Sequence, residues 1–234
     1  MTKENKELLS MNKVLVVAVH GDDETLGCGG TLLKHKAQGD EIHWLLLTGP
    51  TENHPLNFSK GVIDKRNKTI EKVGKLYGFD SISYLALPTI YVHAVDFGEI
   101  VHKVSSVVAK IKPNIIYMMS NNDVHSDHRV AFDAVYSCTK SFRYPFIERI
   151  YMMETLSETE FAPSIPGASF CPNVFVDITP YIEKKLEIMS LYDTEVMEEP
   201  YPRSLSSIKA LARVRGSRAG VMYAEAFQLL YEKR

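Results

Sequence analysis

His20-Gly21-Asp22-Asp23-Glu24 puts one imidazole and three carboxylates into five consecutive residues. Asn122-Asp123-Val124-His125-Ser126-Asp127-His128 puts two imidazoles and two carboxylates into seven. Nitrogen and oxygen donors at this density suit a catalytic zinc, which takes three protein ligands and keeps a position open for water. His20, Asp23 and His128 supply that set. The three-residue step from His20 to Asp23 can bring both side chains to one point across a strand-to-helix turn. Asp22 is then the candidate base for the attacking water, and His125, as a histidinium, the group that stabilises an oxyanion and protonates a departing amine. Asp127, two residues after His125, could hydrogen-bond its ring and keep it oriented and protonated; Asp123 could serve instead.

In open α/β sheets such clusters work at the carboxyl ends of strands. Each cluster here follows an apolar run of strand length, residues 14–19 for the first and 115–119 for the second. Periodicity predicts helices over 23–38, 62–77, 97–111 and 126–139, alternating with strands over 14–19, 42–47, 82–87 and 115–119. Four βα units therefore fill the first part of the chain, and alternation of this kind implies a parallel sheet. Beyond it, short strands over 147–152 and 174–176 are expected, separated by a Pro- and Gly-containing loop over 162–172, then helices over 181–192 and 205–214.

The 234 residues, 45% hydrophobic, suffice for one α/β core, and a single domain over 1–234 is expected. With 27 basic and 29 acidic residues the net charge of -2 argues against a nucleic-acid partner or an anionic membrane surface. Cys28, Cys138 and Cys171 are odd in number and widely spaced, which fits a reducing compartment rather than a disulfide framework. A polar opening and the absence of a long apolar stretch point to a soluble, cytoplasmic protein without membrane insertion. Gly27, Gly29 and Gly30 do not form a dinucleotide-binding fingerprint and read as close helix packing. Cys28, with no basic neighbour, reads as buried packing rather than a nucleophile. Asp22, Asp23 and Glu24 also suit a helix start, and Glu24 is expected to do no more than that.

The first cluster continues as Thr25-Leu26-Gly27-Cys28-Gly29-Gly30-Thr31. In this the chain resembles the LmbE/PIG-L-type zinc-dependent N-acetylglucosaminyl deacetylases, whose first motif is His-Pro-Asp-Asp-Glu and whose second is Asn-Asp-x-His-x-Asp-His. Residues 215–227 are similar to the family's ending, so the resemblance spans nearly the whole chain. It implies an α/β fold, a Rossmann-like three-layer sandwich with a mostly parallel central sheet and a strand-end active site. It also implies one Zn²⁺ per chain, other divalent metals being possible, on His20, Asp23 and His128. Asp22 would be the base, His125 the acid or oxyanion stabiliser, and Asp127 its support. The substrate would be a small amino sugar of the N-acetylglucosamine type, free or conjugated, and a homo-oligomer is compatible with the family. Two departures stand out. Gly21 replaces the proline, and Arg66-Asn67-Lys68-Thr69 replaces Arg-x-x-Glu. Arg66 remains a candidate contact for a sugar hydroxyl or phosphate. The rival readings are a non-catalytic sugar or nucleotide-sugar binding module with a vestigial metal site, and a zinc hydrolase for a different amide or ester.

Overall fold

Strand β1 (Lys13–Ala18) has residues 14–18 all fully buried, as a strand covered on both faces requires. The computed structural model describes residues 11–165, 167 and 169–234; the polar opening, residues 1–7, lies outside them. From β1 the chain runs into α1 (Asp23–Gln38), stopped by Gly39 in the left-handed region at φ 90°, then β2 (Glu41–Gly49). Next come α2 (Lys60–Tyr77), β3 (Ser81–Pro88), α3 (Phe97–Ile111), β4 (Ile115–Met118) and α4 (Ser126–Ser137). Ser59 caps α2 by accepting the Val62 N–H, and Asp96 caps α3 by accepting that of Glu99. The second half supplies β5 (Arg149–Met153), β6 (Val174–Asp177), α5 (Ile182–Met189), α6 (Leu205–Ala219) and β7 (Ala224–Glu232).

The strands form a seven-stranded sheet in the order β3-β2-β1-β4-β5-β7-β6, parallel as far as β5 and antiparallel where β7 joins β5 and β6. Successive β1 residues feed opposite cores. Val14, Val16 and Ala18 pack with α1, α2, α5 and α6, whereas Leu15 and Val17 pack with α3 and α4. The fold is thus a three-layer α/β structure, as expected. Strand β7 was not foreseen, and α6 runs on to Ala219 rather than ending near residue 214. The expectation that the early glycines serve close packing holds. A Cβ on Gly27 would lie 2.6 Å from Met153 Sδ, one on Gly29 2.4 Å from the Tyr77 hydroxyl, and one on Gly30 2.7 Å from Ile178. Cys28 is buried among them, and burial pushes its thiol well above the ordinary range.

Candidate active site

Chain order reverses at β1, which has β2 on one side and β4 on the other. The crevice beyond the carboxyl ends of β1 and β4 is therefore a topological switch point, where α/β sheets take their ligands. Both clusters lie there, at the mouth of a cavity of about 410 Å³ lined among others by His20, Asp22, Asp23 and His125.

Three donor atoms converge. His128 Nε2 lies 3.3 Å from His20 Nδ1 and 3.4 Å from Asp23 Oδ2, and His20 Nδ1 is 3.9 Å from the same oxygen. Ligands about 2.1 Å from a tetrahedral cation stand about 3.4 Å apart, so the set fits one divalent ion. Each donor is held from behind. Asp23 Oδ2 accepts the N–H groups of Val19 at 2.9 Å and His20 at 2.8 Å, which ties the carboxylate to the strand end. His128 Nδ1 bonds Asp123 Oδ2 at 2.8 Å, while Asp123 Oδ1 accepts from the Thr159 hydroxyl at 2.8 Å. A histidine whose far nitrogen is bonded to a carboxylate has its tautomer and ring plane fixed for a metal. Burial works against charge on Asp23, but His128 and His20 outweigh it and hold the carboxyl well below its usual range.

Asp127 takes a different partner from the one expected. Its Oδ2 lies 3.4 Å from His20 Nε2 but 4.0 Å from His125 Nδ1. The same carboxylate accepts the N–H groups of Ile90 at 2.6 Å and Val92 at 3.3 Å, which anchor it toward His20. What Asp127 gives His125 is its backbone N–H, donated to Nδ1 at 3.1 Å where His125 caps α4. That bond leaves the proton of a neutral ring on Nε2. Burial, then the neighbouring His20, lowers the His125 pKa to about 4. That direction favours a neutral ring near pH 7, with Asp127 Oδ2 4.0 Å from Nδ1.

Asp22 occupies the N-cap position of α1 but makes no side-chain cap bond. It is 3% exposed, its Oδ2 has no hydrogen-bond partner, and burial together with Asp23 and Glu195 raises its pKa to about 7. Glu24 does not cap either. Its Oε1 accepts from the hydroxyls of Thr25 at 2.6 Å and Tyr192 at 2.7 Å, pinning the stretch after α5 onto α1. Arg66 lines the same cavity and bonds Glu195, which also lies 3.4 Å from Arg203; Arg203 in turn is 3.6 Å from Asp22 Oδ2. Sequence reasoning missed Glu195 and Arg203 as pocket residues, for they share no spacing with either cluster. Of the family's C-terminal stretch, Arg215 is engaged with Glu154, and Glu225 accepts the N–H groups of Gly30 and Thr31 and pairs with buried Lys185. The Glu225 and Lys185 contacts brace α1 from behind, and neither Arg215 nor Glu225 lines the main cavity.

The chain is similar to known proteins along nearly its whole length. The PIG-L profile, described as GlcNAc-PI de-N-acetylase, matches residues 15–139. The diacetylchitobiose deacetylase of Thermococcus kodakarensis is 26% identical over 251 aligned positions, covering 97% of this chain and 86% of the relative. A conserved protein of Thermus thermophilus superposes with a TM-score of 0.75 at 26% identity over 96% of this chain and 97% of its own. The 4-carboxy-2-hydroxymuconate hydratase GalB of Pseudomonas putida superposes with a TM-score of 0.74 at 18% identity, over 96% of this chain and 98% of its own. That last likeness is one of fold alone, and a fold that also serves a hydratase leaves the reaction to be argued from the site. Among the described residues no helix is long and apolar enough to cross a membrane.

Proposed function

The chain belongs to the PIG-L family, and on that premise we propose that it is a zinc-dependent hydrolase that removes the N-acetyl group from an N-acetylglucosamine-like amino sugar, free or conjugated. The observation that carries this reading is Asp22, a buried carboxylate at a helix start that caps nothing and stands beside a convergent His20, Asp23 and His128 set. The names of relatives support the acyl group and the sugar: one is a diacetylchitobiose deacetylase. One sheet carrying strands from residue 13 to residue 232 supports a single working domain. Three free cysteines support a reducing, cytoplasmic setting.

His20, Asp23 and His128 would hold the zinc, which when bound supplies Lewis acidity to the acyl oxygen and to the attacking water. Asp22 takes one proton from that water as its oxygen attacks the amide carbonyl. His125 donates a hydrogen bond from Nε2 to the oxyanion, as a neutral imidazole can. Asp22 then returns its proton to the nitrogen as the carbon–nitrogen bond breaks, leaving a free amine and acetic acid, which loses the water's second proton to solvent and becomes acetate. This assigns protonation of the amine to Asp22, the group that holds the proton taken from the water. Arg66, on the cavity wall, grips the sugar.

Elemental analysis of the purified protein, paired with acetate release from a panel of N-acetylglucosamine derivatives before and after chelation and zinc return, tests the reading. The expected result is about one zinc per chain with chelator-sensitive release. Zinc without release from any N-acetyl sugar would overturn the amino-sugar assignment, and failure to bind zinc at all would favour the non-catalytic module.

A further inference from the structure

We infer that Glu195 and Arg203, together with Arg66, form a wall that selects a neutral pyranose by a pair of adjacent hydroxyls; this rests on the amino-sugar reading above and deepens it. Both new residues come from the stretch joining α5 to α6, outside residues 15–139 where the family profile matches. Both line the cavity that holds Asp22.

The wall alternates donors and acceptors. Glu195 Oε1 accepts from Arg66 Nη2, Glu195 Oε2 lies 3.4 Å from Arg203 Nη1, and that guanidinium nitrogen is 3.6 Å from Asp22 Oδ2. Arg66, Glu195 and Arg203 keep 23%, 21% and 21% of their side chains exposed, so each still offers an edge to a ligand. Arg203 Nε is buried without a partner. A hydroxyl both donates and accepts, whereas a guanidinium only donates and a carboxylate only accepts. Two neighbouring hydroxyls can satisfy such an alternating surface, each accepting from an arginine and donating to Glu195.

Charge argues against an anionic group at this wall. The two arginines are matched by Glu195 and Asp22, and Asp23 and Glu158 bring the carboxylates of the cavity lining to four. No surplus cation is left for a phosphate or carboxylate at this wall. Leu46, Ile70 and Leu156 line other parts of the cavity and suit the apolar face of a pyranose ring.

The test compares the zinc-loaded wild type with Glu195→Gln and Arg203→Lys. Calorimetry follows glucosamine, its 3-deoxy and 4-deoxy analogues and its 6-phosphate, all lacking the acetyl group and so inert; acetate release is followed on the matching N-acetyl sugars. The wild type should bind at least one deoxy analogue about tenfold more weakly than glucosamine, because a missing hydroxyl leaves buried polar groups unpaired. Glu195→Gln should bind glucosamine about tenfold more weakly and discriminate the deoxy analogue less than about threefold, with its loss of acetate release falling on KM more than on kcat. Zinc content should stay at the wild-type level. Unchanged discrimination in both variants would overturn the wall, as would absence of glucosamine binding or tenfold tighter binding of the phosphate. Binding with the expected pattern but no acetate release would sink the deacetylase reading and leave the wall standing.

Discussion

The cavity has two walls of unlike construction. On the metal side, Asp23 Oδ2 takes two backbone N–H groups, His128 is backed by Asp123, His20 by Asp127, and Asp123 by Thr159. On the other side, Asp22 Oδ2 and Arg203 Nε are buried without hydrogen-bond partners, Arg66 and Arg203 pair with Glu195, which also accepts from the Thr194 hydroxyl at 3.2 Å, and Arg203 stands 3.6 Å from Asp22. One wall is a converging donor set backed by further hydrogen bonds; the other is a chain of ion pairs that reaches Asp22.

The sharpest way to break that comparison is to damage each wall at its most demanding residue. His128→Ala should lose zinc and lower acetate release by more than about 10³-fold, since a three-donor site does not survive as two. Asp22→Asn should keep about one zinc per chain and still lose about 10² to 10⁴ in kcat, the usual worth of a positioned base. Metal content and kcat measured on both proteins decide the matter. If Asp22→Asn also lost its zinc, the walls would not be separable.

A smaller effect grades the metal wall itself. Asp123 touches no ion but fixes the His128 ring through a 2.8 Å bond. Asp123→Asn should weaken zinc affinity about 10- to 100-fold, read by competition with a chromogenic chelator. Asp127→Asn should act alike through His20, and an Asp127 variant that altered only His125-dependent steps would contradict the contact with His20.

The metal wall was legible in the sequence because its residues are local. Two short clusters, each after an apolar strand, carry His20, Asp23, His128 and Asp123, and β1 and β4 place them side by side. The wall of Arg66, Glu195 and Arg203 was not legible, because Arg203 sits in Tyr201-Pro202-Arg203-Ser204 and reaches Asp22 only through the packing of the stretch after α5. Strand β7 was missed for a similar reason. Ala224-Glu225-Ala226 has little strand preference of its own and is held by pairing with β6. Helix α6 outran its expected end because Gly216 does not break it. That glycine lets the helix approach the Met222 carbonyl, which a Cβ would meet at 2.7 Å.

Glu24 lies behind both walls and links them through Tyr192. Burial raises its pKa from 4.5 to about 8, so the folded chain keeps it neutral where the unfolded chain ionises it. Its contribution is present below about pH 4.5 and is lost as pH rises through about 8, amounting to a few kcal/mol on the order-of-magnitude scale of linkage. Glu24→Gln stays neutral at every pH and can keep the bond from Tyr192. Denaturant unfolding of zinc-free protein from pH 5 to pH 9 should show stability declining in the wild type and a flatter profile in the variant. Parallel profiles would mean that Glu24 does not titrate in this range.

The smallest effect concerns Gly21, which joins the walls at the turn between β1 and α1 and replaces the family's proline. Its φ lies outside the left-handed region, and an added Cβ would meet Arg66 Nη1 at 3.7 Å, Leu46 Cδ2 at 3.7 Å and Ile70 Cγ1 at 3.9 Å, all ordinary contacts. Nothing in the folded turn therefore demands glycine, while the unfolded chain gains freedom from it. Gly21→Ala should stabilise the protein by about 0.4–1 kcal/mol through the unfolded state. The methyl group also comes against Arg66, so it should hold that guanidinium nearer Glu195. Chemical denaturation checks the first effect and the KM for an N-acetyl sugar the second. A destabilised variant would show that the turn between the walls uses a backbone freedom that only glycine supplies.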